Sequence, residues 1–143
     1  MKRQAFSLIS LLSLLLVAGS AIAQTQVRAN VPFNFTVGSK TLPAGTYDIK
    51  NISSSGANLL LLQARDGNSS MMAGSNAAEA FKPADKTKLV FNHYRDQYFL
   101  AEIWVAGARR GHQLPKTSRE KDLAKELAMD LTHRRIEIVA SLY

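Results

Sequence analysis

Residues 31–52 read VPFNFTVGSKTLPAGTYDIKNI, and this stretch decides the fold. Large apolar residues occupy alternate positions from Val31 to Val37, with polar residues or proline between them. Because successive side chains on a strand point to opposite faces, this period of two predicts a strand with one apolar face. Gly38-Ser39 and Leu42–Gly45 have the composition of turns, and residues 46–52 resume a β-rich pattern. The stretch therefore predicts two strands connected by turns.

Two more hairpins are predicted downstream of this stretch. Asp66-Gly67 is a strong hairpin-turn dipeptide that follows the four consecutive leucines of Leu59–Leu62. A short apolar run of this kind predicts a strand buried on both faces, with Ser70–Ala73 as the return strand. Residues 88–105 form the second predicted hairpin, which turns at Arg95–Gln97 and is dense in aromatic and β-branched side chains. These elements add antiparallel strands to the first two.

The apolar period changes to that of a helix after Pro115. Thr117–Glu120 fits a capping box, in which a hydroxyl and a carboxylate bond reciprocally to two backbone N–H groups. One helix face carries leucines spaced four residues apart, namely Leu123, Leu127 and Leu131. We therefore predict a helix from Ser118 to about Leu131 that packs this stripe on the sheet. Residues 136–142 predict a final strand.

The segments between these elements have weaker patterns. Residues 74–85 are rich in Ala, Asn and Lys, and we predict a loop there with one helical turn at residues 77–80. Residues 107–111 are predicted to be a basic loop. The predicted fold class is mainly β: about seven or eight strands in a small antiparallel β-sandwich or flattened barrel, with one helix in the C-terminal region.

The first 23 residues have the three-part pattern of a secretory signal peptide. Lys2-Arg3 gives a charged start, an apolar run follows, and Ala21-Ile22-Ala23 is an A-x-A cleavage site. We predict cleavage before Gln24, which divides the chain into a signal peptide (1–23) and a single β-rich domain (24–143). The apolar run is shorter than the roughly 20 residues that span a bilayer. The mature chain is therefore predicted to be periplasmic or extracellular, with no transmembrane segment after processing.

The composition restricts the chemistry and the partners. The sequence contains no cysteine, which excludes disulfides, a cysteine nucleophile and a thiolate metal site. Removal of residues 1–23 takes away two basic residues and no acidic ones, so the formal net charge falls from +7 to +5. This charge is spread along the chain, which favours an anionic envelope component or a protein partner over nucleic acid.

Few residues are candidates for catalysis. The three histidines, His93, His112 and His133, lack the spacing of a metal-binding pair, and no glycine-rich phosphate loop is present. No metal and no cofactor are therefore predicted. Asp96 and Glu102 flank the aromatic hairpin that carries His93, and paired carboxylates can do acid–base work. The enzymatic alternative is a small hydrolase or lyase centred on His93 with Asp96 or Glu102.

Aromatic and basic residues are the candidates for ligand binding. The aromatic set can stack on a flat ligand and consists of Tyr94, Tyr98 and Trp104. The basic set can meet an anion and consists of Arg109, Arg110 and His112. Strict alternation also predicts that Trp104 shares a strand face with Leu100 and Tyr98, while Phe99 and Ile103 share the other face. We predict that the indole of this single tryptophan is largely buried.

Three segments of the chain together resemble a group of short secreted bacterial proteins. They are VPFNFTVGSKTLPAGTYDI, KLVFNHYRDQYFLAEIW and QLPKTSREKDLA. The group is uncharacterised and combines a VPFxFxVGxKxLPAGxY segment with a KLxF…YFL…W hairpin and a later LPK helix. The resemblance covers most of the mature chain, and it implies export and a small β-rich domain. It implies no activity and transfers no site residue.

These patterns predict an exported, non-enzymatic envelope or extracellular protein that acts as a binding or interaction module for an unidentified ligand. The enzymatic alternative is the His93-centred site. A second alternative is a carrier that holds an apolar ligand in a cavity lined by Leu59–Leu62.

Overall fold

The computed structural model describes residues 26–52, 58–128 and 134–143. The predicted signal peptide, Gln24 at the cleavage site and the predicted helix end at Leu131 lie outside these ranges. The described strands are β1 (Gln26–Val31), β2 (Phe35–Val37), β3 (Lys40–Leu42), β4 (Gly45–Asn51), β5 (Leu59–Ala64), β6 (Ser70–Gly74), β7 (Asn76–Glu79), β8 (Lys88–Tyr94), β9 (Gln97–Trp104), β10 (Arg110–Gln113), β11 (Arg134–Val139) and β12 (Ser141–Leu142). The helix α1 (Ser118–Leu127) lies between β10 and β11.

The strands form a two-layered sandwich. Sheet A has the order β12-β1-β4-β5-β6, and every neighbouring pair is antiparallel. Sheet B has the order β11-β8-β9-β10-β7, and β2 runs parallel to β9 while pairing with β3. Over the described residues the sheets do not close into a barrel. The mainly β prediction is confirmed, and the sandwich is the one of its two architectures that is observed.

The core lies between the sheets because each strand directs alternate side chains inward. In β1, for example, every second residue is buried. Aromatic rings connect the two layers: Phe35 of β2 meets Tyr47 of β4 edge-on at a centroid distance of 5.1 Å and Phe91 of β8 at 5.5 Å. Edge-on pairs of this kind add to the stabilisation that burial provides. Residues 31–52 thus contribute Phe35, whose ring packs against side chains of both sheets.

The chain passes between the sheets through very short connections. Residues 32–34 separate β1 in sheet A from β2 in sheet B, so the single strand predicted over residues 31–37 is two strands. The proline in this connection has no N–H for a ladder and favours the break. Ser75 alone connects β6 to β7, and Ala140 alone connects β11 to β12, which divides the predicted final strand over residues 136–142.

β9 contains a β-bulge. Val90 of β8 pairs with Glu102, but the next residue, Phe91, pairs with Leu100, so Ala101 is an extra residue in β9. Because side chains alternate along a strand, one extra residue exchanges the two faces of β9 beyond this point.

The bulge makes the predicted grouping of β9 side chains wrong. Ile103 joins Leu100 and Tyr98 on the inner face, and Trp104 shares the outer face with Phe99. The residues around the bulge, Leu100–Ile103, include no glycine or proline, so the sequence lacks the usual signal for such a shift. The predicted burial of Trp104 is confirmed, since its side chain is 9% exposed.

α1 covers part of the outer face of sheet B. The helix begins after Thr117, whose Oγ1 accepts a hydrogen bond from the backbone N–H of Glu120 at 3.2 Å. Leu127 is buried against Tyr94 and Phe99 of the β8–β9 hairpin. The prediction of a helix that packs a leucine stripe on the sheet is therefore confirmed over the described residues.

Three further predictions are wrong. Residues 76–79, predicted as a loop with a helical turn, form β7, and the predicted basic loop becomes β10 at Arg110. These two polar segments become strands because they pair with each other, which short-range patterns do not reveal. Within Leu59–Leu62, the inner residues Leu60 and Leu62 are buried, but their two neighbours are half-buried on the outer face of sheet A. β5 is therefore buried on one face.

Candidate functional site

β6 forms an edge of sheet A, where among the described residues it pairs with β5 on one side only. The predicted turn at Asp66-Gly67 creates this hairpin. Asp66 Oδ1 accepts a hydrogen bond from the N–H of Asn68 at 2.9 Å, and Gly67 adopts a φ of +79°. Glycine adopts this left-handed conformation without a steric penalty because it has no Cβ. The turn thus positions β6 as the last strand of the sheet.

The pairing with β5 uses only every second residue of β6. The N–H of Ser75, just after β6, donates to the carbonyl of Asn58 at 2.9 Å. In an antiparallel ladder the residues that exchange hydrogen bonds alternate with residues that do not. Counting back from Ser75, the β6 residues bonded to β5 are Ala73 and Met71.

The intervening residues direct their backbone N–H and C=O groups to the open side of β6. Lys40 Nζ donates to the carbonyl of Ser70 at 3.0 Å, which independently marks this direction. The outward groups of Met72 and Gly74 bond to no other residue in the ranges that the structure describes. They present two donors and two acceptors at the spacing of a strand ladder.

A cleft with a volume of about 340 Å³ lies beside this open edge. Met71–Gly74 form one wall, and Leu114–Thr117, the segment between β10 and α1, form another. Gly38-Ser39 of the β2–β3 turn completes the lining. Most of these residues are apolar or small, and Lys116 supplies a cation. The cleft therefore combines an unpaired strand edge with apolar side chains.

The walls of the cleft are held by the rest of the fold. The N–H of Leu114 donates to the carbonyl of the bulge residue Ala101 at 2.8 Å, and the Leu114 side chain is buried in the core. Thr117 at the other end of this wall caps α1. A Cβ at Gly38 would lie 3.2 Å from Met71 Cε, so a residue without a side chain lets this turn approach β6 closely.

Comparison with models of known protein families, with curated proteins and with solved structures found no match to this chain. Within the described ranges, no helix is long and apolar enough to cross a bilayer. No group of three or more histidine or carboxylate side chains in the same ranges is arranged to hold a metal ion.

The aromatic candidates do not form an open stacking surface. Tyr94 is buried beneath α1, and Trp104 is largely buried. The ring of Tyr98 is covered on both faces, by Phe33 at a centroid distance of 3.8 Å and by His93 at 4.1 Å. In the described structure, burial of Tyr94 and Trp104 and stacking on both faces of Tyr98 leave no open ring face for a ligand.

The structure separates the three basic candidates. Arg109 and Arg110 are exposed at one end of sheet B, where Arg109 Nε donates to the carbonyl of Ala80 at 3.3 Å. His112 is part-buried, and its Nδ1 lies 3.1 Å from Ser75 Oγ. Burial lowers the pKa of His112 because it disfavours the charged imidazolium. His112 therefore lies beside Ser75, where the chain passes from one sheet to the other, and is not part of an exposed basic surface.

The residues of the enzymatic alternative are not brought together. His93 and Glu102 lie on opposite faces of sheet B, and Asp96 is exposed in the β8–β9 turn. Burial opposes ionisation of Glu102, but hydrogen bonds from Arg135 and Trp104, at 2.8 Å each, hold its pKa below the ordinary value. Glu102 is thus an ionised, paired carboxylate on the far side of the sheet from His93.

Sequence reasoning missed the contact between Ser75 and His112. The distance of 3.1 Å is within the range of a nucleophile–base pair. However, Ser75 is 9% exposed, its Oγ also lies 3.4 Å from the carbonyl of Asn58, and no described carboxylate bonds the other ring nitrogen. The contact between Ser75 and His112 stabilises the one-residue connection between β6 and β7. A separation of 37 residues gave no local signal for it.

A second missed contact surrounds Glu120, which is 4% exposed. Its Oε1 accepts hydrogen bonds from Asn92 Nδ2 at 2.9 Å and from the hydroxyl of Tyr94 at 3.2 Å. Burial, with a further contribution from the Glu120 charge, raises the pKa of Tyr94 to about 12. The T-x-x-E motif located this carboxylate, but its side chain bonds to the sheet and not to the backbone of Thr117.

Proposed function

We propose that this protein is an exported, non-enzymatic binding module that receives an extended polypeptide segment along the open side of β6. One observation carries the proposal: the outward N–H and C=O groups of Met72 and Gly74 have no partner among the described residues and lie beside a mainly apolar cleft. An extended segment joins such an edge as an additional strand, with main-chain hydrogen bonds for affinity and alternate side chains for specificity.

The geometry limits the length and character of the bound segment. At one end of the edge, the carbonyl of Ser70 already accepts a hydrogen bond from Lys40 Nζ. At the other end, the chain leaves the sheet at Ser75. Each hydrogen bond contributes about 0.5–1.5 kcal/mol net, so the four outward groups alone support weak, reversible binding. Apolar side chains of the segment would add affinity by covering Met72, which is 60% exposed, and the exposed Pro115 across the cleft.

Export and the type of partner belong to the same proposal. The signal-peptide pattern of residues 1–23 supports a periplasmic or extracellular location, and the three sequence segments described above support membership of the secreted bacterial group. A protein partner fits the strand edge better than an anionic polymer, because main-chain groups recognise main-chain groups. The apolar carrier has less support, since Leu60 and Leu62 are close-packed in the core.

Substitution of Met72 tests the proposal. Because the N–H of Met72 is not used in pairing with β5, Met72→Pro removes an outward donor and leaves that ladder in place. Met72→Thr is the matched control, since it changes the same side chain and keeps the donor. Peptides selected from a random phage-displayed library against residues 24–143 serve as probes, and isothermal titration calorimetry measures their affinity.

We expect Met72→Pro to weaken binding of the selected peptides at least about fivefold more than Met72→Thr does. Both variants lose the Met72 side chain, but only Met72→Pro leaves a peptide carbonyl unpaired, which costs about 1–3 kcal/mol. Amide hydrogen exchange at Met72 and Gly74 should slow when a peptide binds, because their N–H groups then become bonded. Equal binding by Met72→Pro and the unsubstituted protein, or unchanged exchange at these two amides, would contradict the proposal.

A further inference from the structure

A large apolar side chain is presented to solvent at one end of sheet B. Phe81 is 98% exposed and lies in the connection between β7 and β8. Single exposed apolar residues are ordinary on protein surfaces, but a phenyl ring that contacts almost nothing of its own protein is an extreme case. The ring contributes nothing to the core, so the fold does not account for its presence.

The backbone around Phe81 is fixed by pairing with a second loop. The N–H of Ala80 donates to the carbonyl of Arg109 at 2.8 Å, and the N–H of Ala84 donates to the carbonyl of Ala108 at 3.0 Å. The N–H of Gly107 returns a bond to the carbonyl of Ala84 at 2.8 Å. Phe81 therefore lies between two anchored residues and is held outward. We name residues 80–86 and 106–110 the loop tip.

The loop tip is also cationic. Its exposed basic side chains are Lys82, Lys86, Arg109 and Arg110, and its one acidic side chain is Asp85. Glu79, beside the tip, lies 3.8 Å from Arg109, but these side chains are 64% and 57% exposed, so solvent screens the pair. The cations are therefore available to an external anion. A phenyl ring thus projects from a cluster of positive charge.

We propose that the loop tip is a reversible docking surface for an anionic lipid bilayer. The ring enters the interfacial layer, and the surrounding cations meet the lipid phosphates above it. A bilayer interface supplies an apolar layer directly beneath an anionic one, which is the complement of an exposed phenyl ring with cationic side chains on its own loop and on the loop paired with it. The tip residues line no part of the β6 cleft, so this inference stands apart from the proposed peptide site.

Vesicle sedimentation tests the inference with residues 24–143. Vesicles of phosphatidylglycerol mixed with phosphatidylcholine are compared with vesicles of phosphatidylcholine alone. Phe81→Ser removes the ring, with Met72→Ser as the control for loss of another exposed apolar side chain. Lys82→Glu reverses a tip charge, with Lys125→Glu on α1 as its control. Phe81 and Lys82 make no core contact, so each variant should fold, and thermal melts check this.

We expect binding to the anionic vesicles only, weakened about tenfold or more by Phe81→Ser and reduced by Lys82→Glu and by added salt. Both control variants should bind like the unsubstituted protein. In Phe81→Trp the fluorescence should shift to the blue on anionic vesicles. Absence of binding, equal binding to both vesicle types, or unchanged binding by Phe81→Ser would overturn the inference. Peptide binding at β6 should be unaffected by these tip variants.

Discussion

Gly111 permits the burial of the single tryptophan. It lies on β10 beside Trp104 of β9, and a Cβ at this position would lie 2.6 Å from the carbonyl of Ile103 and 2.7 Å from indole Cε3. No side chain fits that space, so the indole covers the glycine backbone. Trp104 Nε1 donates to Glu102 at 2.8 Å, which fixes the ring in this position.

We predict that Gly111→Ala destabilises the protein by about 1–3 kcal/mol, because the methyl group must displace the indole or separate β9 from β10. Urea denaturation measures the loss, and the Trp104 fluorescence should shift to the red as the ring becomes more exposed.

Gly74→Ala is the matched control for this prediction. Gly74 also lies in a strand, β6, but nothing lies within 4 Å of a Cβ built there. We expect its free energy of unfolding to change by less than about 0.5 kcal/mol. Equal stabilities of the two variants would show that the crowding at Gly111 is relieved without cost.

At the scale of elements, the buried carboxylate of Glu120 connects α1 to sheet B by hydrogen bonds, in addition to the packing of Leu127. We predict that Glu120→Ala lowers the free energy of unfolding by about 1–3 kcal/mol, because Asn92 and Tyr94 each lose an acceptor in a buried site. The cap from Thr117 Oγ1 to the backbone of residue 120 remains. Urea denaturation followed by circular dichroism measures the change.

Glu126→Ala is the control on the same helix, since Glu126 is exposed. It should shift the free energy of unfolding by less than about 0.5 kcal/mol. If Glu120→Ala and Glu126→Ala behave alike, the helix is held by Leu127 and its neighbours and the buried carboxylate is dispensable.

At the scale of the whole molecule, stability should depend on pH in two separate windows. Burial lowers the pKa of His112, so the unfolded chain binds more protons just below its ordinary value of about 6.5. Stability should therefore fall as the pH drops from about 7 through this window. The hydrogen bond from Arg28 lowers the pKa of Asp48. Burial opposes ionisation of Glu102, but hydrogen bonds from Arg135 and Trp104 lower its pKa overall, so the contributions of both carboxylates are lost below about pH 4.

Urea denaturation across pH checks this order. His112→Gln should remove the decline between about pH 7 and pH 5 and keep the acid one. Gln113→Ala, next to His112 on β10, changes no titratable group and should retain both. A decline near neutral pH that persists unchanged in His112→Gln would assign it to another group.

The sequence by itself determined the local elements of this protein. Four local features were predicted. They are the Asp66-Gly67 turn, the β8–β9 hairpin, the cap at Thr117 and the shared inward face of the alternate apolar residues in 31–37. Each feature depends on residues only a few positions apart, so their backbone preferences and side-chain spacing can be read from the local sequence. A mainly β sandwich with one docked helix follows from these elements, because each has one apolar face to bury.

Only the tertiary structure decided where the chain changes sheets and which edge stays open. The division at residues 32–34, the bulge at Ala101 and the pairing of β7 with β10 depend on partners distant in sequence. The β6 cleft has the same origin, since Met71–Gly74 meet Leu114–Thr117 about forty residues later in the chain. A strand edge is open or paired according to its neighbours in space, and no local pattern specifies them.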